Sequence, residues 1–313
     1  MRIGLGLAAV ARPAYITAGR DRDLGGARSP QDLERRTWEL LDAAVAAGVR
    51  YVDAARSYGR AEQFLASWLA AHPDAPVEVG SKWGYRYVGG WRLDAPVHEV
   101  KDHSLAAFRE QRDESYALLG DRLAVYHVHS ATLESGVLDD APVHAALAQL
   151  RDSGVRVGVS TSGPQQAEVV RRAVDVQVGG RPLFTSVQTT WNVLETSAGP
   201  ALEQAAAAGA QVLVKEAVAN GRLAPGGADS AGARRVAELA AGLGVGVDVL
   251  AGAAALAQPW VTCVLSGAVT PGQLRSNLAA ADLALPADVL QELEGLAEEP
   301  SDYWSARSRR SWS

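Results

Sequence analysis

Titratable side chains recur where strand-like segments of this chain end. Short apolar runs lead into Asp53 in YVDAARSYG, Lys82 in VGSKWGY and His129 in VYHVHS, and Tyr58 follows Asp53 closely. A free phenol is a weak acid at neutral pH, since its ordinary pKa is about 10. A neighbouring ammonium such as Lys82 would lower that pKa, and Asp53 is the carboxylate available to balance the ammonium.

These four groups suit proton transfer at an oxygen atom, with Tyr58 as the acid or base and His129 hydrogen-bonded to a carbonyl oxygen. We therefore expect carbonyl reduction or alcohol oxidation by hydride transfer. No side chain donates hydride, so a nicotinamide cofactor is implied. Each residue also has an ordinary structural interpretation: Asp53 as a loop cap, Tyr58 as a core residue and His129 as a satisfied interior histidine. Their occurrence at successive strand ends favours the functional interpretation.

Lysine is rare in this chain. Of 30 basic residues only three are lysines, namely Lys82, Lys101 and Lys215. The pKa of a lysine shifts readily on burial, whereas arginine stays charged. The placement of Lys82 at a strand end is therefore the sharpest single signal in the sequence.

The hydrophobic pattern predicts an α/β protein, a (β/α)8 TIM barrel. Helical spacing covers 30–47, 60–71, 101–119, 141–153, 164–174, 198–208 and 231–257, the last broken near 243. Eight Val- and Leu-rich runs alternate with them, as is typical of buried parallel strands. We expect one domain over 1–313, with the barrel in about 1–285. Three further pieces belong to this domain: an extra N-terminal segment at 11–29, a C-terminal helix near 286–298, and a C-terminal tail over the barrel mouth.

Composition and charge limit the classes of molecule that this protein could bind. The net charge is −6 and basic residues form no long run, which argues against a nucleic-acid partner. No apolar stretch approaches the roughly 18 residues that a membrane span needs. The single cysteine, Cys263, lies in an apolar run and is expected in a buried strand. We expect a cytoplasmic protein with a small-molecule substrate and no metal.

The chain resembles the aldo-keto reductase family in four motifs, which occur in the family's order. These are AGVRYVDAARSYGRAE, GSKWGY, LAVYHVHSA and VLSGAVTPGQLRSNLAA. The resemblance covers about residues 1–285 and implies a catalytic tetrad of Asp53, Tyr58, Lys82 and His129. His127 falls where the family varies.

The resemblance also implies a nicotinamide cofactor held across the barrel mouth, NADP(H) with NAD(H) as the alternative. Lys215 stands where the family commonly stacks a tyrosine on the nicotinamide, and Gly267 and Gln273 stand where many members have basic residues. Arg275 is then a candidate for the 2′-phosphate. The implied cofactor-binding residues are Ser160, Thr161, Gln188, Lys215, Ser266, Gly267, Thr270, Arg275 and Asn277.

Aromatic residues in the expected mouth loops and tail suggest a small-molecule pocket. The candidates for its walls are Trp83, Trp91, Trp191 and Trp304, although Trp304 has the alternative role of pinning the tail. Three functions stay open. The first is an NAD(P)H-dependent reductase of aldehydes or ketones, or an alcohol dehydrogenase. The second is a nucleotide-binding regulatory subunit with little turnover. The third is a dehydratase or epimerase without net redox, which the lysine at position 215 keeps open.

Overall fold

Eight parallel strands close into a barrel in the computed structural model, which describes residues 2–312. The strands are β1 (Ile3–Gly6), β2 (Tyr51–Asp53), β3 (Glu78–Trp83), β4 (Tyr85–Tyr87), β5 (Glu99–Lys101), β6 (Leu123–Ala131), β7 (Arg156–Thr161), β8 (Gln177–Val178), β9 (Arg181–Pro182), β10 (Ser186–Thr190), β11 (Gln211–Lys215) and β12 (Cys263–Ser266). Around the barrel the order is β1, β12, β11, β10, β7, β6, β3, β2, while β4–β5 and β8–β9 form separate two-stranded sheets. The prediction of a (β/α)8 barrel is confirmed.

Helices alternate with the barrel strands close to the predicted positions. They are α1 (Arg20–Leu24), α2 (Pro30–Ala46), α3 (Ala61–Ala71), α4 (Leu105–Leu119), α5 (Ala141–Asp152), α6 (Gln166–Asp175), α7 (Gly199–Ala207), α8 (Ala231–Gly242), α9 (Val247–Leu256), α10 (Pro271–Ala279), α11 (Ala287–Glu294) and α12 (Pro300–Ser308). Ser29 caps α2 by accepting a hydrogen bond from the Asp32 amide. The predicted helix at 101–119 was placed too early, because Lys101 pairs with Tyr85 in the β4–β5 hairpin and Ser104 caps α4.

Side chains of successive strand residues point to opposite sides of the barrel wall. On β3 the fully buried Trp83 packs against Phe108 of α4, with ring centroids 5.0 Å apart. Its neighbour Lys82 meets Asp53 of the adjacent strand. Cys263 is buried in β12, as its apolar surroundings predicted.

The two extra segments meet over one end of the barrel. The Arg12 guanidinium carbon lies 4.3 Å from the ring centroid of Tyr15, 4.9 Å from that of Tyr58 and 5.0 Å from that of Trp312. The tail is partly helical, since α12 occupies Pro300–Ser308. The tail thus lies over the mouth, as predicted.

Residues 2–312 contain neither a straight membrane-spanning helix nor a cluster of metal ligands. No single helix there is long and apolar enough to cross a membrane, and the pair α8 and α9, which passes on length and composition, is bent by 95°. Within the same residues, no group of three or more His, Cys, Asp or Glu side chains is arranged to hold a metal ion.

Candidate active site

The Asp53 carboxylate and the Lys82 ammonium form a buried ion pair at the ends of neighbouring strands. Lys82 Nζ donates to Asp53 Oδ2 at 2.5 Å and to the Ala54 carbonyl at 2.9 Å. Gln188 Nε2 donates to the other carboxylate oxygen at 2.7 Å. Burial lowers the pKa of Lys82, and the charge of Asp53 opposes that shift. The ammonium is therefore fixed in place by two acceptors.

Tyr58 lies beside this pair, between two cations. Lys82 Nζ is 4.7 Å from the centroid of the phenol ring, and the Arg12 guanidinium approaches the same ring. Burial nevertheless raises the pKa of Tyr58 well above its ordinary value, Asp53 raises it further, and Arg12 acts in the opposite direction. The sequence led us to expect a lowered pKa for this phenol, and the pKa is instead raised because desolvation outweighs the effect of Arg12. Tyr58 holds its proton at neutral pH.

Gly59 sets the position of the loop that carries Tyr58. Its φ is +61°, and a Cβ at this position would lie 2.6 Å from the Ala11 carbonyl oxygen. The next amide, that of Arg60, donates to the same Ala11 oxygen at 3.1 Å. The loop is therefore held directly against the N-terminal segment, at a contact that only glycine permits without displacement.

His129 faces Tyr58 edge to face, with ring centroids 5.4 Å apart. Its Nδ1 lies 3.3 Å from Ser57 Oγ. Burial lowers the pKa of His129 well below its ordinary value, and Lys82 adds to the shift. The imidazole is neutral and keeps one N–H to donate. His127 instead contacts Ser186, with its Nε2 2.9 Å from Ser186 Oγ.

Tyr58 and His129 line a cavity at the barrel mouth, which we call the mouth cavity. Its other polar and aromatic lining residues are Arg12, Tyr15, Tyr85, Glu99, Ser130, Ser160, Ser162, Gln188, Lys215, Glu216, Arg307, Ser308, Arg310 and Trp312. Sequence reasoning missed Arg12, Tyr15 and Glu99. The only signal for Arg12 and Tyr15 was their location in the extra N-terminal segment, and Glu99, in β5, carried none.

A second space, the cleft, leads away from the mouth cavity. The two share Tyr15, Tyr58, Gln188, Lys215 and Glu216. The cleft continues past Ser266, Gly267 and Asn277 to a far end. The far end is lined by the loop at 221–227, α10 and the N-terminal segment, including Arg22, Asp23, Gln273 and Ser276. The cleft and the mouth cavity therefore meet at Tyr58.

The cleft fits a dinucleotide by two observations. Asp248 Oδ1 is buried and has no hydrogen-bond partner within residues 2–312, so a donor such as a ribose hydroxyl or an adenine amine suits it. At Gly267, which lines both ends, no heavy atom lies within 4 Å of the place a Cβ would occupy. The backbone there is open to close approach.

The residues implied for cofactor binding divide into two groups. Ser160, Gln188, Lys215, Ser266, Gly267 and Asn277 line the cleft or the mouth cavity. Thr161 is fully buried and donates to Thr189 Oγ1, Thr270 accepts from the Gln273 amide as the cap of α10, and Arg275 is exposed. Within residues 2–312, none of these last three belongs to the lining of either space.

The four tryptophans predicted as pocket walls lie elsewhere. Trp83 packs on Phe108, Trp191 on Trp260 and Trp304 on Tyr303, while the Trp91 indole donates to the Arg28 carbonyl. None of the four lines the mouth cavity or the cleft in the described part of the chain. For Trp83 this position could have been predicted from the sequence. Lys82 points into the barrel, and the next residue on a strand must face the opposite side of the wall.

The segment after β11 carries a second buried ion pair. Glu216 has a φ of +59°, and both of its carboxylate oxygens accept from Arg307 of α12. Burial raises the pKa of Glu216, but Arg307 and Lys215 outweigh it and lower the value to about 2. Lys215 Nζ donates to Thr190 Oγ1 at 2.7 Å.

Comparisons with known proteins agree with this geometry. The model of the aldo/keto reductase family matches residues 23–298. Among solved structures, one described as an aldo-keto reductase from Pseudomonas aeruginosa is 24% identical, with 90% of each chain covered and a TM-score of 0.64. The aldo-keto reductase AKR11C1 from Bacillus halodurans, in its holo form, is 20% identical over 95% of this chain and 92% of its own, with a TM-score of 0.70.

A third structure, the glycerol dehydrogenase AKR11B4 from Gluconobacter oxydans, is 20% identical over 94% of this chain and 90% of its own, with a TM-score of 0.68. No curated protein matches the sequence. The structural likeness shows the fold, and the family match shows membership: this chain belongs to the aldo-keto reductase family. Membership implies NAD(P)H-dependent oxidoreduction of a small molecule.

Proposed function

We propose that this protein transfers hydride between a nicotinamide cofactor and a small carbonyl or alcohol substrate, with Tyr58 as the general acid and base. One observation carries the proposal: Tyr58 lies where the mouth cavity and the cleft meet, against the Lys82–Asp53 pair and His129. A substrate in the mouth cavity and a dinucleotide in the cleft would both reach this residue.

The chain's own groups divide the work in the direction of reduction. The neutral His129 ring donates a hydrogen bond to the carbonyl oxygen and orients it. Tyr58, protonated because its pKa is raised, gives its proton to that oxygen as negative charge develops there. The Lys82 and Arg12 cations flank the phenol ring and stabilise the phenolate that remains. A bound nicotinamide supplies the hydride.

The Tyr58→Phe variant tests the acid directly. Turnover of NADPH with a panel of aldehydes and ketones should fall by about 100- to 10,000-fold, the usual contribution of a general acid, while the folded structure is retained. Tyr116→Phe on α4, outside the lining of both spaces, is the matched control and should keep its activity. Full activity in Tyr58→Phe would remove Tyr58 from the mechanism.

For the cofactor we propose NADP(H), with Arg22 rather than Arg275 near the 2′-phosphate. Arg275 lies outside the cleft lining of residues 2–312, and the buried Arg20 donates to the carbonyls of Ala9 and Pro13. The Arg22 side chain lines the far end of the cleft and is 76% exposed, so it can turn toward a phosphate.

Fluorescence titration with NADPH and NADH separates the two cofactors. NADPH should bind more tightly, and Arg22→Gln should weaken NADPH binding by about two- to fivefold, the size of one exposed charge contact, while NADH binding stays the same. Arg275→Gln serves as the control. Tighter binding of NADH by the unaltered protein would mean that the neutral Gly267 and Gln273 decide the preference and that NAD(H) is the cofactor.

The two alternative functions predict different results in these measurements. A nucleotide-binding regulatory subunit would bind the dinucleotide and turn over none of the panel. A dehydratase or epimerase would form product without net consumption of the cofactor. The cytoplasmic location stays a prediction of the sequence.

A further inference from the structure

The mouth cavity holds more positive charge than its own carboxylates balance. Four cations line it, namely Arg12, Lys215, Arg307 and Arg310, against two carboxylates, Glu99 and Glu216. The arginines each have a carboxylate partner. Arg12 pairs with Glu99 at 2.7 Å, Arg307 with Glu216, and Arg310 with Asp229, outside the lining, at 2.9 Å. Lys215 is the cation left over.

Lys215 has no carboxylate of its own among residues 2–312. Its ammonium donates to the neutral Thr190 hydroxyl and lies 3.7 Å from Glu216 Oε1, an oxygen that already accepts from Arg307. The other charged groups that act on it are cations, Arg307 and Lys82. Burial and these cations lower the pKa of Lys215 to about 8, so the ammonium form still predominates at neutral pH.

An ammonium that is 17% exposed and shares its counter-ion is poorly compensated. A ligand anion would supply the missing charge at a place where Lys215 faces the mouth cavity together with Tyr58 and His129. The rings of Tyr15, Tyr85 and Trp312 line the same space, and their low polarity would strengthen such a contact.

We propose that the mouth cavity takes a small carbonyl or alcohol substrate that carries an anionic group, a carboxylate or a phosphate, with Lys215 as its counter-ion. The proposal rests on the proposed function, since it places the reacting oxygen at Tyr58 and His129. Lys215 is the residue that sets substrate preference.

Matched substrate pairs test the preference. One pair is 4-oxobutanoate and butanal, the other glyceraldehyde 3-phosphate and glyceraldehyde, so that the two pairs distinguish a carboxylate from a phosphate. We expect kcat/KM to favour the anionic member of at least one pair by about 10- to 100-fold, the worth of a hydrogen bond to a charged group. Lys215→Met should bring that ratio close to one.

Arg309→Met is the control, since it removes an exposed tail charge outside the lining of the mouth cavity within residues 2–312 and should leave the ratio unchanged. A binding measurement without turnover accompanies it. Succinate and inorganic phosphate are titrated calorimetrically into the full-length protein and into Lys215→Met, and the lysine variant should lose the binding of the favoured anion.

The outcomes separate this inference from the proposed function. Equal turnover of the charged and neutral members by the unaltered protein overturns the anionic substrate and leaves the reductase in place. Loss of dinucleotide binding in Lys215→Met with an unchanged substrate ratio also overturns it, because Lys215 then serves the cofactor. Anion binding that depends on Lys215, without turnover of any aldehyde, supports the anion site and removes the proposed function.

Discussion

The Lys82 ammonium lies 4.7 Å from the centre of the Tyr58 ring, yet its hydrogen bonds go to Asp53 and to the Ala54 carbonyl. The cation is thus placed to stabilise a phenolate electrostatically without accepting or donating the phenol's proton. Before the reaction Tyr58 is a protonated phenol with a raised pKa, not a phenolate.

This arrangement predicts a flat pH profile for the reduction of a neutral aldehyde. The raised pKa of Tyr58 keeps its proton in place throughout pH 6–9, and the lowered pKa of His129 keeps the imidazole neutral there. We expect kcat for butanal to vary by less than about threefold over that range. A neutral substrate avoids any effect of Lys215 on binding. A decline centred near pH 7 would mean that Tyr58 titrates there and that the cations dominate its pKa.

Lys215→Met should stabilise the folded protein at pH 7. The folded pKa of about 8 lies below the ordinary value of 10.5, so the buried ammonium costs free energy at every pH below 8. Replacing it should raise the free energy of unfolding by roughly 1–3 kcal/mol, an order-of-magnitude figure from the size of the shift. As the pH rises from 8 towards 10.5, the folded protein loses this proton before the unfolded chain does, and the unaltered protein becomes more stable.

Urea denaturation of both proteins at pH 7 and pH 9.5 measures this difference. The advantage of Lys215→Met should shrink at the higher pH. An unaltered protein more stable than the variant at pH 7 would show that Glu216 and Thr190 fully compensate the ammonium.

Gly59→Ala should displace the loop that carries Tyr58. The new methyl group would lie 2.6 Å from the Ala11 carbonyl oxygen, at a φ of +61°. Gly136→Ala is the control, because Gly136 has a φ of +66° and a ψ of −1°, in the left-handed region that alanine can enter, and no neighbour within 4 Å of its Cβ position. The Gly59 variant should be less stable than the control variant by roughly 1–3 kcal/mol, the cost of overpacking, and should lose activity. Equal effects of the two changes would mean that the contact with Ala11 is unimportant.

Substitution of Trp312 should change substrate binding, whereas substitution of Trp83 should change the stability of the fold. Trp312 lines the mouth cavity and Trp83 packs between β3 and α4. Trp312→Phe should raise KM for the substrate with little change in stability. Trp83→Phe should lower the free energy of unfolding by roughly 1–3 kcal/mol, the usual range for a core substitution, and leave KM unchanged. Steady-state kinetics and thermal unfolding of both variants check this, and a KM effect confined to Trp83→Phe would contradict the placement.

The strands and the candidate tetrad were predictable because both depend on local sequence. Val- and Leu-rich runs mark buried parallel strands, and parallel strands bring their carboxyl ends to one side, so Asp53, Lys82 and His129 had to lie near one another. The N-terminus of α2 was equally local, since Ser29 and Pro30 form its first turn.

The cavity wall was not predictable in the same way. Arg12 and Trp312 are 300 residues apart in sequence, and their contact depends on where two irregular segments fold back over the barrel. The pKa of Tyr58 was also out of reach, because burial depends on the whole wall around it, whereas the sequence showed only the charges. Solvent exclusion is a property of the assembled site.

Transfer of deuterium from the nicotinamide of labelled NADPH to the substrate shows whether this protein catalyses hydride transfer. A carbonyl substrate that turns over on the panel is incubated with NADPH deuterated on the transferred face, and the alcohol is analysed by mass spectrometry. We predict an alcohol that gains one deuterium, formed in step with NADPH oxidation, and at least about 100-fold slower formation of it with Tyr58→Phe. An unlabelled product, or tight NADPH binding with no alcohol at all, would show that this protein does not transfer hydride to a carbonyl substrate.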